Sequence, residues 1–252
     1  MRDGNSFKER CMTVVTRRRA LATIGALPLL SVAAAPRQPL RLTTVNLMPW
    51  AGIDAHGQPF GALIDLTAQM AQLSGLPITP IPVPYGRAPY MLRSGGSDLM
   101  LSIDISPTGG TAIEHVGTVE IMIVGRDKFR YERLNDLHGK TVGHLRHATY
   151  SPELEADQSI RKHAFDSYEQ GVRMLLAGRF DAMIGVGDSI EYALSRSGGA
   201  VSQRYVLARG RIGLYADASV GAGATAALQN ACKQLRQKHV MDTLLKRPSQ
   251  RR

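Results

Sequence analysis

The chain has 252 residues, 44% of them hydrophobic, and a formal net charge of +10. Six Lys/Arg against two Asp/Glu give +4 in residues 1–35, Lys246, Arg247, Arg251 and Arg252 give +4 at the other end, and +2 is left for the body between. Charge confined to the two ends, with no basic stripe interleaved with aromatics, points away from nucleic acid, and no polynucleotide partner is expected.

The first element is an export signal. Thr16-Arg17-Arg18-Arg19 leads into an apolar run over residues 20–30 and a small-residue end at 31–35. A basic region, a short apolar core and a small-residue end are the parts of a cleavable signal peptide. The run is too short to span a bilayer, which takes about 20 residues. The twin arginines resemble a Tat signal, with Sec export as the alternative. Cleavage near residues 33–36 predicts a periplasmic mature chain. Cys11 falls in the signal, so Cys232 has no intramolecular partner. Leu228 and Leu235 share its helical face, and a packed core thiol is expected. Without H-x-x-x-H or C-x-x-C pairing, no metal site and no cofactor are predicted.

In the mature chain, residues 40–47 alternate as a strand and end at Met48-Pro49-Trp50. Leu63, Leu66, Met70 and Leu73 recur at helical spacing, with Asp65 in the first turn and Gly75 placed as the cap. Ile78, Ile81 and Val83 alternate with prolines, which remove too many donors for a central strand and predict an edge or a connection. A helix with Pro89 near its start follows. Residues 118–124 read as a strand, and 134–143 as a short helix, a turn and a strand. A helix opens over 149–157, with Thr149 as a credible N-cap, and Phe165-Asp166 is a short strand. Residues 206–215 read as a returning strand, and 223–237 as a closing helix.

One unit occurs twice. Met91-Leu92-Arg93-Ser94-Gly95-Gly96-Ser97-Asp98-Leu99-Met100 reappears as Met174-Leu175-Leu176-Ala177-Gly178-Arg179-Phe180-Asp181-Ala182-Met183. Each copy reads as the last turn of a helix, a glycine that ends it in the left-handed region, and a buried strand. Asp98 and Asp181 are expected to form the turns before these strands. Helices and strands alternate over 40–105, which predicts an α/β fold with a mostly parallel sheet. The repetition predicts two similar lobes.

Gly57-Gln58-Pro59-Phe60-Gly61-Ala62-Leu63-Ile64-Asp65-Leu66, Pro84-Tyr85-Gly86-Arg87-Ala88, the two repeated units and Leu137-His138-Gly139-Lys140-Thr141-Val142-Gly143 occur in an order and at spacings that resemble a family. It is the periplasmic solute-binding proteins of the amino-acid ABC-transporter type. The resemblance implies an α/β, two-lobed periplasmic-binding-protein-like fold (type II), each lobe a mostly parallel helix-flanked sheet, joined by two crossing segments. It puts the first lobe at 36–117 plus 208–245 and the second at 118–207, with a basic tail at 246–252. It implies a monomeric, non-catalytic receptor that captures a small polar solute, amino-acid-like or another small organic acid, for a membrane permease.

Carried over by position, the resemblance places ligand contacts at Trp50, Tyr85, Arg87, Ser102, Asp104, His147, Thr149 and Asp188. Trp50 is equally readable as a hydrophobic plug, and Arg87 as one side of a structural ion pair. Asp104 meets an ammonium or caps a loop. His147 stands where the family has glycine. The arginine that clamps an α-carboxylate in amino-acid binders is missing, because residues 106–112 hold no basic side chain. Two other functions fit the same scaffold. One is an enzyme resembling the secreted cyclohexadienyl dehydratases, with Asp104, Glu120 or Asp188 as its acid. The other is a soluble ligand sensor for a membrane kinase.

Overall fold

The computed structural model describes residues 38–103, 109–126 and 130–246; the segment expected to be an export signal, Asp104, residues 106–108 and the tail beyond Lys246 lie outside them. The first half runs β1 (Leu40–Val45), a small hairpin of β2 (Gly52–Ile53) and β3 (Pro59–Phe60), α1 (Ala62–Ser74), β4 (Ile78–Val83), α2 (Arg87–Arg93) and β5 (Leu99–Ile103). Then come β6 (Thr111–Gly125), a 3-10 turn (Leu134–Leu137), β7 (Thr141–Leu145), α3 (Pro152–Ala156), β8 (Arg161–Phe165), α4 (Tyr168–Leu176), β9 (Ala182–Val186) and α5 (Gly187–Ser197). The chain returns through β10 (Gln203–Ala216) and finishes with α6 (Ala222–Gln237) and α7 (Val240–Lys246).

Eight strands form one sheet in the order β4-β1-β5-β10-β6-β9-β7-β8. β1 lies parallel to β4 and β5 in the first lobe, and β7 parallel to β8 and β9 in the second. The two groups are joined by β6 and β10, long antiparallel strands that pair from Gly125–Gln203 to Thr111–Ala216. The far end of β10 pairs with β5, and the far end of β6 with β9. The two crossing segments are therefore one ladder, and both strands run beyond the limits that their apolar alternation predicts. Continuous pairing extends a strand past its apolar core. Proline-rich β4 sits at the sheet edge, where missing N–H donors cost least.

The repeated unit repeats in atomic detail. Gly95 and Gly178 both adopt φ 71°, the left-handed conformation that needs glycine. The Asp98 N–H donates to the Arg41 carbonyl at 2.9 Å, and the Asp98 carboxylate accepts the Arg41 N–H at 2.8 Å. In the second copy the Asp181 N–H donates to the Thr141 carbonyl at 2.8 Å, and its carboxylate accepts the Thr141 N–H at 2.8 Å. Each aspartate thus fastens the start of the neighbouring parallel strand, which is more than turn formation. Such reciprocal bonds satisfy strand-end groups that would otherwise be left unpaired.

One expectation needs correction, and two helices carry no signal in the sequence. The helix expected from Thr149 begins at Pro152; its cap is Ser151, whose hydroxyl accepts the Leu154 N–H at 3.1 Å, while Thr149 lies in the preceding loop. α5 follows β9 with no turn residues between them, so the sequence carries no punctuation there. α7 buries Met241 and Leu244 and packs Val240 and Leu245 partly against the core, in a run of seven residues too short to read by period. Cys232 is fully buried on α6, and burial pushes its thiol up to about 12. It is a core residue.

The second lobe is packed around rings that glycines make room for. A Cβ on Gly143 would lie 2.5 Å from the Phe180 ring, one on Gly171 would lie 2.8 Å from Phe165, and one on Gly185 would overlap Tyr168. Phe165 meets Tyr168 edge-on at 5.7 Å and stacks with Phe180 at 6.4 Å, both within the range of favourable aromatic pairs.

Candidate functional site

In both lobes the parallel strands point their carboxyl ends toward the other lobe. Open α/β sheets bind ligands outside those ends, because the loops and helix starts that follow the strands leave polar groups uncommitted there. The loops after β1, β4, β7 and β8 and the end of β5 all reach one cleft, centred on Tyr85.

Its innermost part is a crevice lined by Val45, Trp50, Leu63, Tyr85, Leu101, Ser102, Ile103, Val119, Val186 and Ile212. It holds about 20 Å³, room for roughly one water molecule. A smaller space of about 10 Å³ continues it past Tyr85 to Thr149, Tyr150 and Tyr168. Outward it opens into a chamber of about 560 Å³ between Asn46, Met48 and Gly86 on one side and Arg146, His147, Asp166 and Glu169 on the other. Tyr85 lines all three spaces.

Trp50 is only 4% exposed and belongs to the core. Its carbonyl accepts the Leu63 N–H at 2.7 Å and that of Pro49 the Ala62 N–H at 3.2 Å, so its loop closes the start of α1. It is a plug whose ring also forms a wall of the crevice. Its Nε1–H is buried without an acceptor among the described residues. Tyr85 and Ser102 lie partly buried in the crevice, and neither hydroxyl makes a hydrogen bond among the described residues.

Across the cleft the hydroxyls are committed. The Tyr168 hydroxyl accepts the Val186 N–H at 2.9 Å, and the Tyr150 hydroxyl accepts the Leu145 N–H at 3.4 Å. Burial raises the Tyr85 hydroxyl, pushes Tyr168 up to about 12 and holds Tyr150 well above its ordinary value. All three are neutral hydrogen-bonding groups at physiological pH.

His147 adopts φ 65° in the chamber wall and faces Gly86 of the first lobe. That left-handed conformation suits glycine, which accounts physically for the glycine that the resemblance puts there. Gly86 has to stay small, since a Cβ on it would lie 3.2 Å from the His147 Cβ. Arg146 is bonded to Asp166 at 2.6 Å in the same wall, an exposed pair of small energetic worth.

Two of the residues carried over by position stand apart. Arg87 is exposed on the first turn of α2, outside the crevice and chamber linings, and its side chain has no ion-pair partner among the described residues. Asp188 is not at the end of β9 but in the first turn of α5. It lines a second cavity of about 420 Å³ with Glu120, Glu191 and Asp242, which shares only Val119 with the crevice. Burial raises the Asp188 carboxyl, and Glu120 and Asp242 push it the same way. Asp104 lies outside the described residues. Trp50, Tyr85, Ser102, His147 and Thr149 do share the cleft.

Tyr150, Tyr168 and the chamber residues Asp166 and Glu169 were not singled out from the sequence. Tyr168, Asp166 and Glu169 follow a short apolar strand, and the rule that ligands gather beyond strand carboxyl ends points to that loop.

No protein-family model matches the sequence, and no curated protein matches it. Solved structures do. The substrate-binding protein of an amino acid ABC transporter is 15% identical and superposes with a TM-score of 0.65, covering 82% of this chain and 97% of that one. The fold is that of the periplasmic binding proteins. A histidine kinase sensor domain with similarity to periplasmic binding proteins is 19% identical (TM-score 0.69; 83% of this chain, 95% of that one). An ancestral amino acid-binding protein, a precursor of cyclohexadienyl dehydratase, is also 19% identical (TM-score 0.67; 84% and 95%). Periplasmic binding folds thus carry transport, sensing and the ancestry of an enzyme, so the cleft has to supply the functional argument.

Proposed function

We propose that this protein is a periplasmic solute receptor that takes up a small organic molecule between its two lobes and hands it to the permease of an ABC transporter. The observation that carries this reading is the cleft: strand ends from both lobes converge on Tyr85, with unbonded donors on one wall and a committed aromatic wall opposite. The lobes divide at 117/118 and 207/208, within the paired stretch of β6 and β10, so flexing that ladder opens and closes the cleft. Binding outweighs catalysis in this reading because the described crevice lining offers tyrosine, tryptophan and serine. Proton transfer at neutral pH needs a group that titrates near it.

The test uses the exported mature protein with a library of small metabolites, following thermal stability and Trp50 fluorescence. Saturable stabilisation, with the ligand recovered unchanged, is the expected result. Steady consumption of the ligand would move the assignment to the dehydratase-like enzyme. Loss of uptake of the same ligand on deleting the gene tests delivery to a permease. Normal uptake with an impaired transcriptional response would move the assignment to a kinase-coupled sensor.

A further inference from the structure

The polar groups in the cleft fall into two sets. In the second lobe several are already bonded: the Tyr150 hydroxyl accepts the Leu145 N–H, the Tyr168 hydroxyl accepts the Val186 N–H, and Arg146 pairs with Asp166. Those of the first lobe are not. Trp50 Nε1 is buried without an acceptor, and the Tyr85 and Ser102 hydroxyls have no hydrogen-bond partner among the described residues. A buried indole N–H left unbonded carries a desolvation penalty, and native structures tolerate few such groups without a role for them. All three groups are neutral, and all three can donate. Around them the walls are aliphatic: Val45, Leu63, Leu101 and Ile212.

A carboxylate or ammonium taken into such surroundings gives up its hydration and gains no opposite charge from the described crevice lining, a loss that a neutral hydrogen bond does not repay. A neutral acceptor loses far less on entry and satisfies the indole N–H. An apolar body then gains by removing the aliphatic walls from water. We infer that the crevice selects an uncharged solute with an apolar body and a hydrogen-bond acceptor such as an amide or ketone carbonyl, held first by Trp50 and Tyr85. This rests on the cleft being the solute site proposed above. The lobes part to admit the solute, since the crevice spans about 20 Å³ and takes walls from both lobes and from β6 and β10. On closing, Val186 covers the apolar body.

Isothermal titration calorimetry on the mature chain tests this with phenylacetamide and acetophenone as neutral acceptors, phenylalanine and arginine as zwitterions, and ethylbenzene as a ring without an acceptor. The neutral acceptors are expected to bind saturably at one per chain, and the zwitterions at least tenfold more weakly. Trp50→Phe keeps a ring and removes the N–H, so it weakens phenylacetamide roughly tenfold, the loss of one hydrogen bond, and changes ethylbenzene binding less. If that variant fails to fold, Tyr85→Phe gives the same readout from a partly exposed side chain. Phenylalanine or arginine binding as tightly as phenylacetamide overturns the inference and leaves the solute site standing. Silence from all five probes overturns it too, and the metabolite library then decides whether the cleft binds anything.

Discussion

Asp98 and Asp181 occupy equivalent places in two copies of one motif, and each accepts an N–H at the start of a neighbouring parallel strand. Asp98 adds an ion pair with the Arg41 guanidinium at 2.8 Å, and the Arg41 side chain holds its carboxyl below the ordinary value. Asp181→Ala should lower stability by about 1–3 kcal/mol, because the Thr141 N–H is left without its acceptor. A lower urea midpoint at unchanged slope is the expected result. For Asp98 the native carboxyl is the stronger acid. Its contribution is therefore complete above the unfolded value of about 4 and fades as the pH falls through the lowered native value. Denaturation curves of the wild type and Asp98→Asn should converge below that range and separate above it.

Among the elements, β9 and α4 of the second lobe depend on each other through a glycine and a ring. A Cβ on Gly185 would overlap Tyr168, whose hydroxyl accepts the Val186 N–H from the same strand. Gly185→Ala should destabilise the protein by about 1–3 kcal/mol through overpacking. It should also displace the tyrosine that forms the far wall of the cleft, so solute affinity falls in parallel with stability. Tyr168→Phe keeps the ring and leaves the Val186 N–H unpaired, at a cost of about 1–3 kcal/mol. Comparing the two variants separates the ring's packing from the hydroxyl's bond. α3 and α4 each start at a serine whose hydroxyl accepts a backbone N–H, and Ser151→Ala or Ser167→Ala should cost about 1 kcal/mol each.

At the scale of the whole molecule, β6 and β10 carry both the connection between lobes and part of the crevice wall. Beside them Asp188 of α5, Glu120 of β6 and Asp242 of α7 line one cavity. Glu120 is paired with Arg209 at 2.9 Å and Glu191 with Arg204 at 2.6 Å, Lys246 also lines the cavity, and Asp242 faces His239 at 3.3 Å. Asp188 has no ion-pair partner among the described residues. Burial first, then the charges of Glu120 and Asp242, raise its carboxyl. A native value above the unfolded one means that protonated Asp188 favours the folded state. That advantage is complete below about pH 4, the unfolded value, and is lost as the pH rises through the raised native value. Asp188→Asn should therefore melt at a higher temperature than the wild type near neutral pH, with a flatter pH dependence on the acid side. Equal melting temperatures across the pH range would contradict this account.

Local chemistry let the sequence alone determine a great deal. The glycine-ended helices of the repeated unit, the proline-rich edge strand, the buried Cys232 and the two-lobed α/β plan all follow from spacing, turn residues and a resemblance along the chain. The fold was legible because helix period, strand alternation and left-handed glycines are set by a residue and its near neighbours. Much of the candidate site was not. Trp50, Tyr85, Ser102, His147 and Thr149 come from separate loops, and only the tertiary structure decides that they meet while Arg87 and Asp188 point elsewhere. Tyr150 and Tyr168 carry no local mark, since a buried tyrosine and a cleft tyrosine have the same sequence. Only the assembled structure distinguishes a hydroxyl already bonded on the far wall from one left without a partner, because hydrogen-bond commitment depends on atoms far apart in the chain.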